Sequence, residues 1–198
     1  MQEVLLIRHG ETEWSVSGQH TGRTDIPLTD RGMRQGELLR AALERRQFAL
    51  VLTSPLARAT ETCRLAGLSE AAKVRGELSE WDYGAYEGRR TVDIRKERPG
   101  WFLWDDGVPE GETAEEVGRR VDRVLPEIRA AGGDVAVCAH GHLLRVLAAR
   151  WLGLEAREGR LFALETATIS TLGWERETAV IKHWNVGGHL EALKAATG

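Results

Sequence analysis

The stretch Leu5-Leu6-Ile7-Arg8-His9-Gly10-Glu11-Thr12 constrains this chain more than any other. An apolar strand runs straight into an arginine and a histidine, and a glycine then turns the backbone. Ligands of open α/β sheets bind just outside the carboxyl ends of the strands, which is where His9 falls. The wording recurs once, as Val135-Ala136-Val137-Cys138-Ala139-His140-Gly141-His142. In mid-strand Arg8 and His9 would project to opposite faces, because strand side chains alternate. They act together only if the strand ends there and the glycine turns the chain. His140 has no arginine before it, which casts it as a wall facing His9 rather than a second copy of it.

The length of 198 residues suits one sizeable core, so residues 1–198 read as a single domain. A net charge of −3 with no acidic or basic tail gives no support to nucleic-acid or membrane-surface binding. The first strand begins at Glu3 and already carries Arg8, so the amino terminus does not read as a signal peptide. No apolar run is long enough to cross a bilayer. Cys63 and Cys138, in a helix and a strand, read as a buried, reduced pair, which fits a cytoplasmic protein.

Residues 12 to 28 read as a long ordered loop beside the end of the first strand. Thr29 caps a helix with an apolar stripe of Met33, Leu39, Ala42 and Leu43. Residues 49 to 53 form a buried strand, and Pro55 suits the first turn of a helix carrying Arg58. Val74 to Tyr86 reads as a weaker strand. The segment 84–111 reads as an inserted cap over the site, holding a basic run from Arg89 to Arg98 and then Trp101 and Trp104. Thr113 and Glu116 match a capping box, opening a helix with the stripe Val117, Val121, Val124 and Ile128 and ending at Gly132-Gly133. The second His-Gly strand follows, with a helix from about His142 to Leu152, and then a hairpin turned at Arg176-Glu177. Strand and helix in this alternation predict an α/β/α sandwich of three layers. Its central sheet is mostly parallel, with an antiparallel C-terminal hairpin.

Four groups carry chemistry: Arg8-His9, Arg58, Glu80 and His140. Each has an ordinary explanation alone. A strand histidine is commonly a hydrogen-bonded structural residue, Arg58 could pair with Glu61 or Glu11, and Glu80 could be a solvated carboxylate. Together they make a phosphoryl-transfer site. Neutral imidazole is a competent nucleophile near pH 7. The guanidinium groups of Arg8 and Arg58 match phosphate oxygens and stay charged. A protonated His140 would add a third positive contact as charge spreads in the transition state. Glu80 would protonate the leaving alcohol, a nearby phosphate favouring its acid form.

Leu6-Ile7-Arg8-His9-Gly10-Glu11-Thr12 resembles the signature of the histidine phosphatase superfamily, in its phosphoglycerate-mutase-like branch. The likeness extends through Thr21-Gly22, Asp25 to Thr29, Thr53-Ser54-Pro55, Arg58-Ala59, Glu80, Tyr83-Gly84, Glu87-Gly88, Gly111-Glu112-Thr113 and His140-Gly141. It implies the phosphoglycerate-mutase-like fold, with His9 as the phosphorylated nucleophile. Arg8, Arg58 and His140 become the phosphate pocket, and Glu80 the proton donor. It also puts Ser15, Thr21, Gly22, Tyr83, Gly141 and His142 at the substrate. It implies no metal and no organic cofactor. The partner is then one small phosphorylated metabolite, with a homodimer left open.

Mutases of this type carry a longer insertion between the Glu-Gly and Gly-Glu-Thr/Ser segments, and commonly an asparagine where Ser15 stands. Here only Arg89 to Glu110 separates Gly88 from Gly111, so water should reach the phosphohistidine. The expected activity is that of a phosphomonoesterase, with a 2,3-bisphosphoglycerate-dependent phosphoglycerate mutase as the alternative. The closest motifs are those of sedoheptulose-bisphosphatase-type members and of bacterial acid phosphatases. The basic run after Gly88 is either a site for a second phosphate or a solvated charged face. Trp101 and Trp104 either wall the pocket or pack beneath it, while Trp151, Trp174 and Trp184 are assigned to the core. Rival readings are a metal-dependent hydrolase using the His140-Gly141-His142 spacing and a phosphate-binding protein without turnover.

Overall fold

The structure, a computed structural model, describes residues 2–195. In chain order its elements are β1 (Val4–Arg8), α1 (Glu13–Ser17), α2 (Asp30–Leu43), β2 (Leu50–Thr53), α3 (Ala57–Leu65), β3 (Ala72–Val74), α4 (Thr91–Glu97), α5 (Leu103–Asp106), α6 (Ala114–Arg129), β4 (Val135–Ala139), α7 (Gly141–Trp151), β5 (Ile169–Glu175), β6 (Thr178–Val186) and α8 (Glu191–Ala195). The six strands form one sheet in the order β3-β2-β4-β1-β5-β6. The first four of these pair in parallel, while β5 joins β1 antiparallel and turns back as the β5–β6 hairpin.

Side chains alternate across β1 and sort the core into two layers. Val4 and Leu6 pack with Val121, Val124 and Ile128 of α6 and with Leu144 and Leu147 of α7. Leu5 and Ile7 pack on the other face with Leu39 and Leu43 of α2 and Cys63 of α3. β4 is buried at every position, as a central parallel strand covered on both faces requires. Its register with β1 pairs Ile7 with Cys138 and Arg8 with Ala139. The next residues of the two strands are His9 and His140, so the two His-Gly ends leave the sheet side by side.

Several local expectations give way to packing. The loop after β1 contains α1, which Thr12 and Ser15 close with a reciprocal capping box. Met33 stays exposed, while Gln35 and Gly36 turn into the buried face of α2. Pro55 precedes the cap residue Leu56 and lies outside the first turn of α3. β1 begins at Val4 rather than Glu3. The strand expected over Val74–Tyr86 is only the tail of β3, which ends at the exposed Val74. Beyond it Trp81 and Tyr83 bury their rings without strand pairing: β propensity there reflects aromatic packing and not a ladder. Trp101 and Trp104 are core residues, and Trp151 is buried while Trp174 and Trp184 pack partly exposed against the same core. Cys63 and Cys138 are free and buried. No described helix is long and apolar enough to cross a membrane.

The turn after β1 presses against the first turn of α2. A Cβ on Gly32 would stand 2.1 Å from the Glu11 carbonyl oxygen, and one on Gly10 would stand 2.4 Å from the Gly32 carbonyl oxygen. Gly32→Ala must therefore push backbone against backbone, with an expected loss of about 1–3 kcal/mol. Urea unfolding measures it, and an unchanged midpoint would contradict this close approach.

Candidate active site

His9 stands where β1 has just ended. Its own N–H still donates to the Ala139 carbonyl at 3.0 Å, and the Gly10 N–H donates to Thr62 Oγ1 at 3.0 Å. Sheet and α3 thus hold both sides of the turn. The ring nitrogen Nδ1 lies 2.7 Å from the Gly10 carbonyl oxygen. A carbonyl can only accept, so Nδ1 carries the proton and Nε2 keeps its lone pair. Burial, followed by the charges of Arg8 and Arg58, holds the His9 imidazole well below its ordinary range. The ring is therefore neutral and nucleophilic at Nε2.

Three side chains flank it. His140 is fully buried, with its ring centroid 5.2 Å from that of His9. Its Nε2 meets Ser54 Oγ at 2.7 Å. Arg58 is also fully buried: Nη1 donates to the Thr24 carbonyl at 3.0 Å, and Nη2 to those of Thr21 and Gly22 at 3.1 and 2.9 Å. Arg8 donates through Nη1 to the Leu164 carbonyl at 2.5 Å. Among the described residues, the buried polar atoms without a partner include Arg8 Nε, Arg58 Nε and His140 Nδ1. Unmet buried polar groups are costly; the two guanidinium Nε–H groups are donors, His140 Nδ1 is a third in the tautomer whose Nε2 accepts from Ser54, and this set beside His9 suits an anion. Burial lowers both guanidinium groups from their ordinary range, with Glu80 the largest charge opposing the shift in each. Burial, then Arg58, His9 and Arg8, also holds His140 well below its ordinary range. These surroundings disfavour the expected protonated form of His140. Its role as a donor does not depend on that charge, because a neutral ring protonated at Nδ1 still donates.

Glu80 reaches the site from the segment after β3. Its Oε1 accepts from the N–H groups of Trp81 and Leu143, both at 2.9 Å, and its Oε2 accepts from that of His142 at 3.1 Å. The carboxylate therefore caps α7, whose own cap residue His140 makes no side-chain capping bond. Beside it Tyr83 OH and His142 Nδ1 share a 2.6 Å hydrogen bond. Arg8, His9, Ser15, Thr21, Glu80, Tyr83, Gly141 and His142 line a cleft of about 200 Å³ together with Trp14, His20 and Arg145. A larger groove of about 660 Å³ near Trp104 holds none of these residues, and its Arg119, Arg150 and Arg157 are each paired with a carboxylate.

The sequence profile described as the Histidine phosphatase superfamily (branch 1) matches residues 4–187. The chain belongs to that superfamily. This histidine phosphatase is 39% identical over 196 residues to an acid phosphatase of Mycobacterium tuberculosis, a match covering 97% of this chain and 96% of the relative. It is 38% identical over 185 residues to a sedoheptulose 1,7-bisphosphatase of Saccharomyces cerevisiae, covering 76% and 67%. A solved structure from Mycobacterium tuberculosis, 40% identical, superposes with a TM-score of 0.89 over 95% of this chain and 99% of that one. Family and phosphatase relatives together class the chain as a phosphatase.

Within this histidine phosphatase Gly22 sits slightly apart from the other expected residues. Its N–H donates to Glu87 Oε1 at 2.8 Å and its carbonyl accepts from Arg58, so it holds the wall and does not face the cleft. A Cβ there would meet the Trp81 carbonyl oxygen at 2.6 Å, which accounts for the glycine. Ser15 spends its hydroxyl on capping α1. The basic run does not line the cleft: Arg89 pairs with Glu97, Arg90 and Lys96 with Asp93, and Arg98 with Asp106. His140 and His142 diverge to different partners, and no group of His, Cys, Asp or Glu among the described residues is arranged to hold a metal. Arg145, Trp14 and His20 had not been expected in the cleft. The signal for Arg145 was its place one turn beyond His142 on the same helix face. The guanidinium of Arg145 stacks over Trp104 at 4.7 Å and donates to the Gly159 carbonyl at 3.0 Å.

Burial places His9, His140 and His142 well below their ordinary range and His20 at about 4. Below about pH 6.5 the unfolded chain takes up protons that the folded one refuses, so stability falls as pH drops. His20 alone contributes a loss of about 2 kcal/mol by pH 5. Melting temperature should fall steadily from pH 7.5 to 5, with the ring protons of His9, His20, His140 and His142 in NMR still reporting neutral imidazoles near pH 6. Titration of any of these four rings near 6.5 in the folded protein would contradict this burial.

Proposed function

We propose that this chain hydrolyses phosphate monoesters of small metabolites through a phosphohistidine on His9. The observation that carries the reading is the set of unpartnered buried donors around the His9 ring: Arg8 Nε, Arg58 Nε and His140 Nδ1. In the first half-reaction the Nε2 lone pair attacks phosphorus. The electron pair of the breaking P–O bond moves to the ester oxygen, which takes a proton from Glu80. Oε1 already accepts two N–H groups and Oε2 only one, so the acidic proton is assigned to Oε2. Glu80 then accepts a proton from the water that attacks the N–P bond, and inorganic phosphate leaves. The arginines and His140 meet charge developing on the equatorial oxygens.

Hydrolysis is favoured over transfer because no residue of the segment 84–111, which we take as the cap, lines the cleft. Trp101 and Trp104 pack behind His20 and His142, at 5.7 and 5.3 Å between ring centroids. Sugar phosphates and bisphosphates are the proposed substrates, in keeping with the bisphosphatase relative. The free, buried Cys63 and Cys138 suit the reducing cytoplasm as the place of work.

Rapid-quench labelling should trap acid-labile, base-stable phosphate on His9, and label on a serine, an aspartate or nowhere would overturn the mechanism. A substrate panel separates phosphatase from mutase: release of inorganic phosphate from sugar phosphates supports the proposal, whereas exchange between 2- and 3-phosphoglycerate without release refutes it. Glu80→Gln should slow phosphohistidine formation from alkyl phosphates by about 100-fold or more, the scale of a general acid, and its formation from p-nitrophenyl phosphate far less. Equal losses on both would remove Glu80 from that role.

A further inference from the structure

The Gly111-Glu112-Thr113 motif and Arg120 touch no residue of the phosphate pocket except Glu80, and they touch it through the backbone. Arg120, on α6, spends its whole guanidinium on one object. Nε and Nη2 grip the Glu112 carboxylate at 2.6 and 2.8 Å. Nη1 donates to the carbonyls of Glu77 and Ser79 at 2.6 and 3.0 Å, and Nη2 also reaches the Glu80 carbonyl at 3.3 Å. Glu112 answers from the other side: Oε2 accepts the Asp82 N–H at 2.9 Å, and its own backbone accepts Trp81 Nε1 at 2.7 Å and donates to the Asp82 carbonyl at 2.9 Å. Gly111 allows the approach, since a Cβ there would stand 2.3 Å from the Asp82 carbonyl oxygen.

Residues 77 to 82 have no strand ladder to hold them. The carbonyls of Glu77, Ser79 and Glu80 and the N–H of Asp82 are instead collected by this one ion pair, so the place of the Glu80 peptide is set by Arg120 and Glu112. We infer that Arg120 and Glu112 are positioning residues for the proton-donating carboxyl, keeping Glu80 Oε2 within reach of the leaving oxygen. The inference rests on the phosphohistidine reading and on Glu80 as its acid. The geometry also specifies arginine: lysine has the charge but not the planar fork that spans a carboxylate and three carbonyls at once.

A small displacement of a catalytic group suffices to lose about 100-fold in rate. Arg120→Gln and Glu112→Gln should therefore slow phosphohistidine formation from alkyl phosphates, read by rapid quench, by about 10- to 100-fold, while its formation from p-nitrophenyl phosphate changes less than 5-fold. KM for both esters should stay within about 3-fold, because the phosphate pocket is untouched. Arg120→Lys should fail to restore the alkyl rate. Circular dichroism and melting temperature show whether each variant folds. If Arg120→Gln is unfolded, the milder Glu112→Gln, which keeps an oxygen for the Asp82 N–H, decides the matter. Equal losses on alkyl and aryl esters in folded variants, or full rescue by lysine, would overturn the inference. If Glu80→Gln itself shows no difference between the esters, the acid assignment falls with it. If Glu80→Gln shows the difference and these variants do not, only the positioning role falls.

Discussion

The in-register parallel pairing of β1 with β4 is the constraint on which the rest of the site depends. With Arg8 opposite Ala139, the first residue past each strand is a histidine, and each histidine is followed by a glycine that turns the chain off the sheet. A slip of one residue would send His9 and His140 to opposite faces, because side chains alternate with period two. The register is secured by burial on both faces, since Leu5 and Ile7 belong to one core layer and Val4 and Leu6 to the other. The same pairing that fills the core therefore aligns His9 with His140, and no separate device is needed to bring them together.

Burying two guanidinium groups beside two imidazoles is costly in free energy, and the structure distributes that cost. Carbonyls of Thr21, Gly22, Thr24 and Leu164 neutralise part of each arginine, and Glu80 supplies the nearest opposing charge. What is left is positive potential at fixed donors, the arrangement that favours a phosphate dianion without reorganisation. The same potential has a second effect. It helps burial to keep protons off His9, so the feature that favours an anion also leaves Nε2 its lone pair. Arginine is suited to the first task because it cannot shed its proton, and histidine to the second because it can.

Much of this was legible in the sequence because it lies on regular elements. The strands ending at Arg8 and Ala139, the capping box at Thr113 and Glu116, the stripe from Val117 to Ile128 and the hairpin at Arg176-Glu177 all follow from periodicity and local chemistry. The errors cluster where the chain is irregular. Trp81 and Tyr83 looked like strand residues because aromatic side chains suit a pleated surface, whereas here they are held by Glu112 and His142. Met33 looked like part of the covered stripe of α2 but is exposed, while Gln35 takes the buried face, where its side-chain oxygen accepts the Glu11 N–H at 2.8 Å. The electrostatic state of His140 was out of reach of any pattern, since it depends on Arg58 and on Arg8-His9 arriving from two separate segments around a buried ring.

Glu80 shows how closely stability and chemistry are joined in this fold. The first N–H groups of α7 have no partner within the helix, and His140, at the cap position, turns its ring to Ser54 instead. A carboxylate 62 residues from His142 fills that gap. Its two oxygens are not equivalent, for Oε1 holds Trp81 and Leu143 while Oε2 holds only His142. A proton placed on Oε2 leaves the two bonds at Oε1 in place, so the helix end stays capped. In the proposed reaction the carboxyl can therefore change charge without releasing the helix that carries Gly141 and His142. This is possible only if the peptide beneath it does not move, which is what the backbone clamp of Arg120 and Glu112 provides.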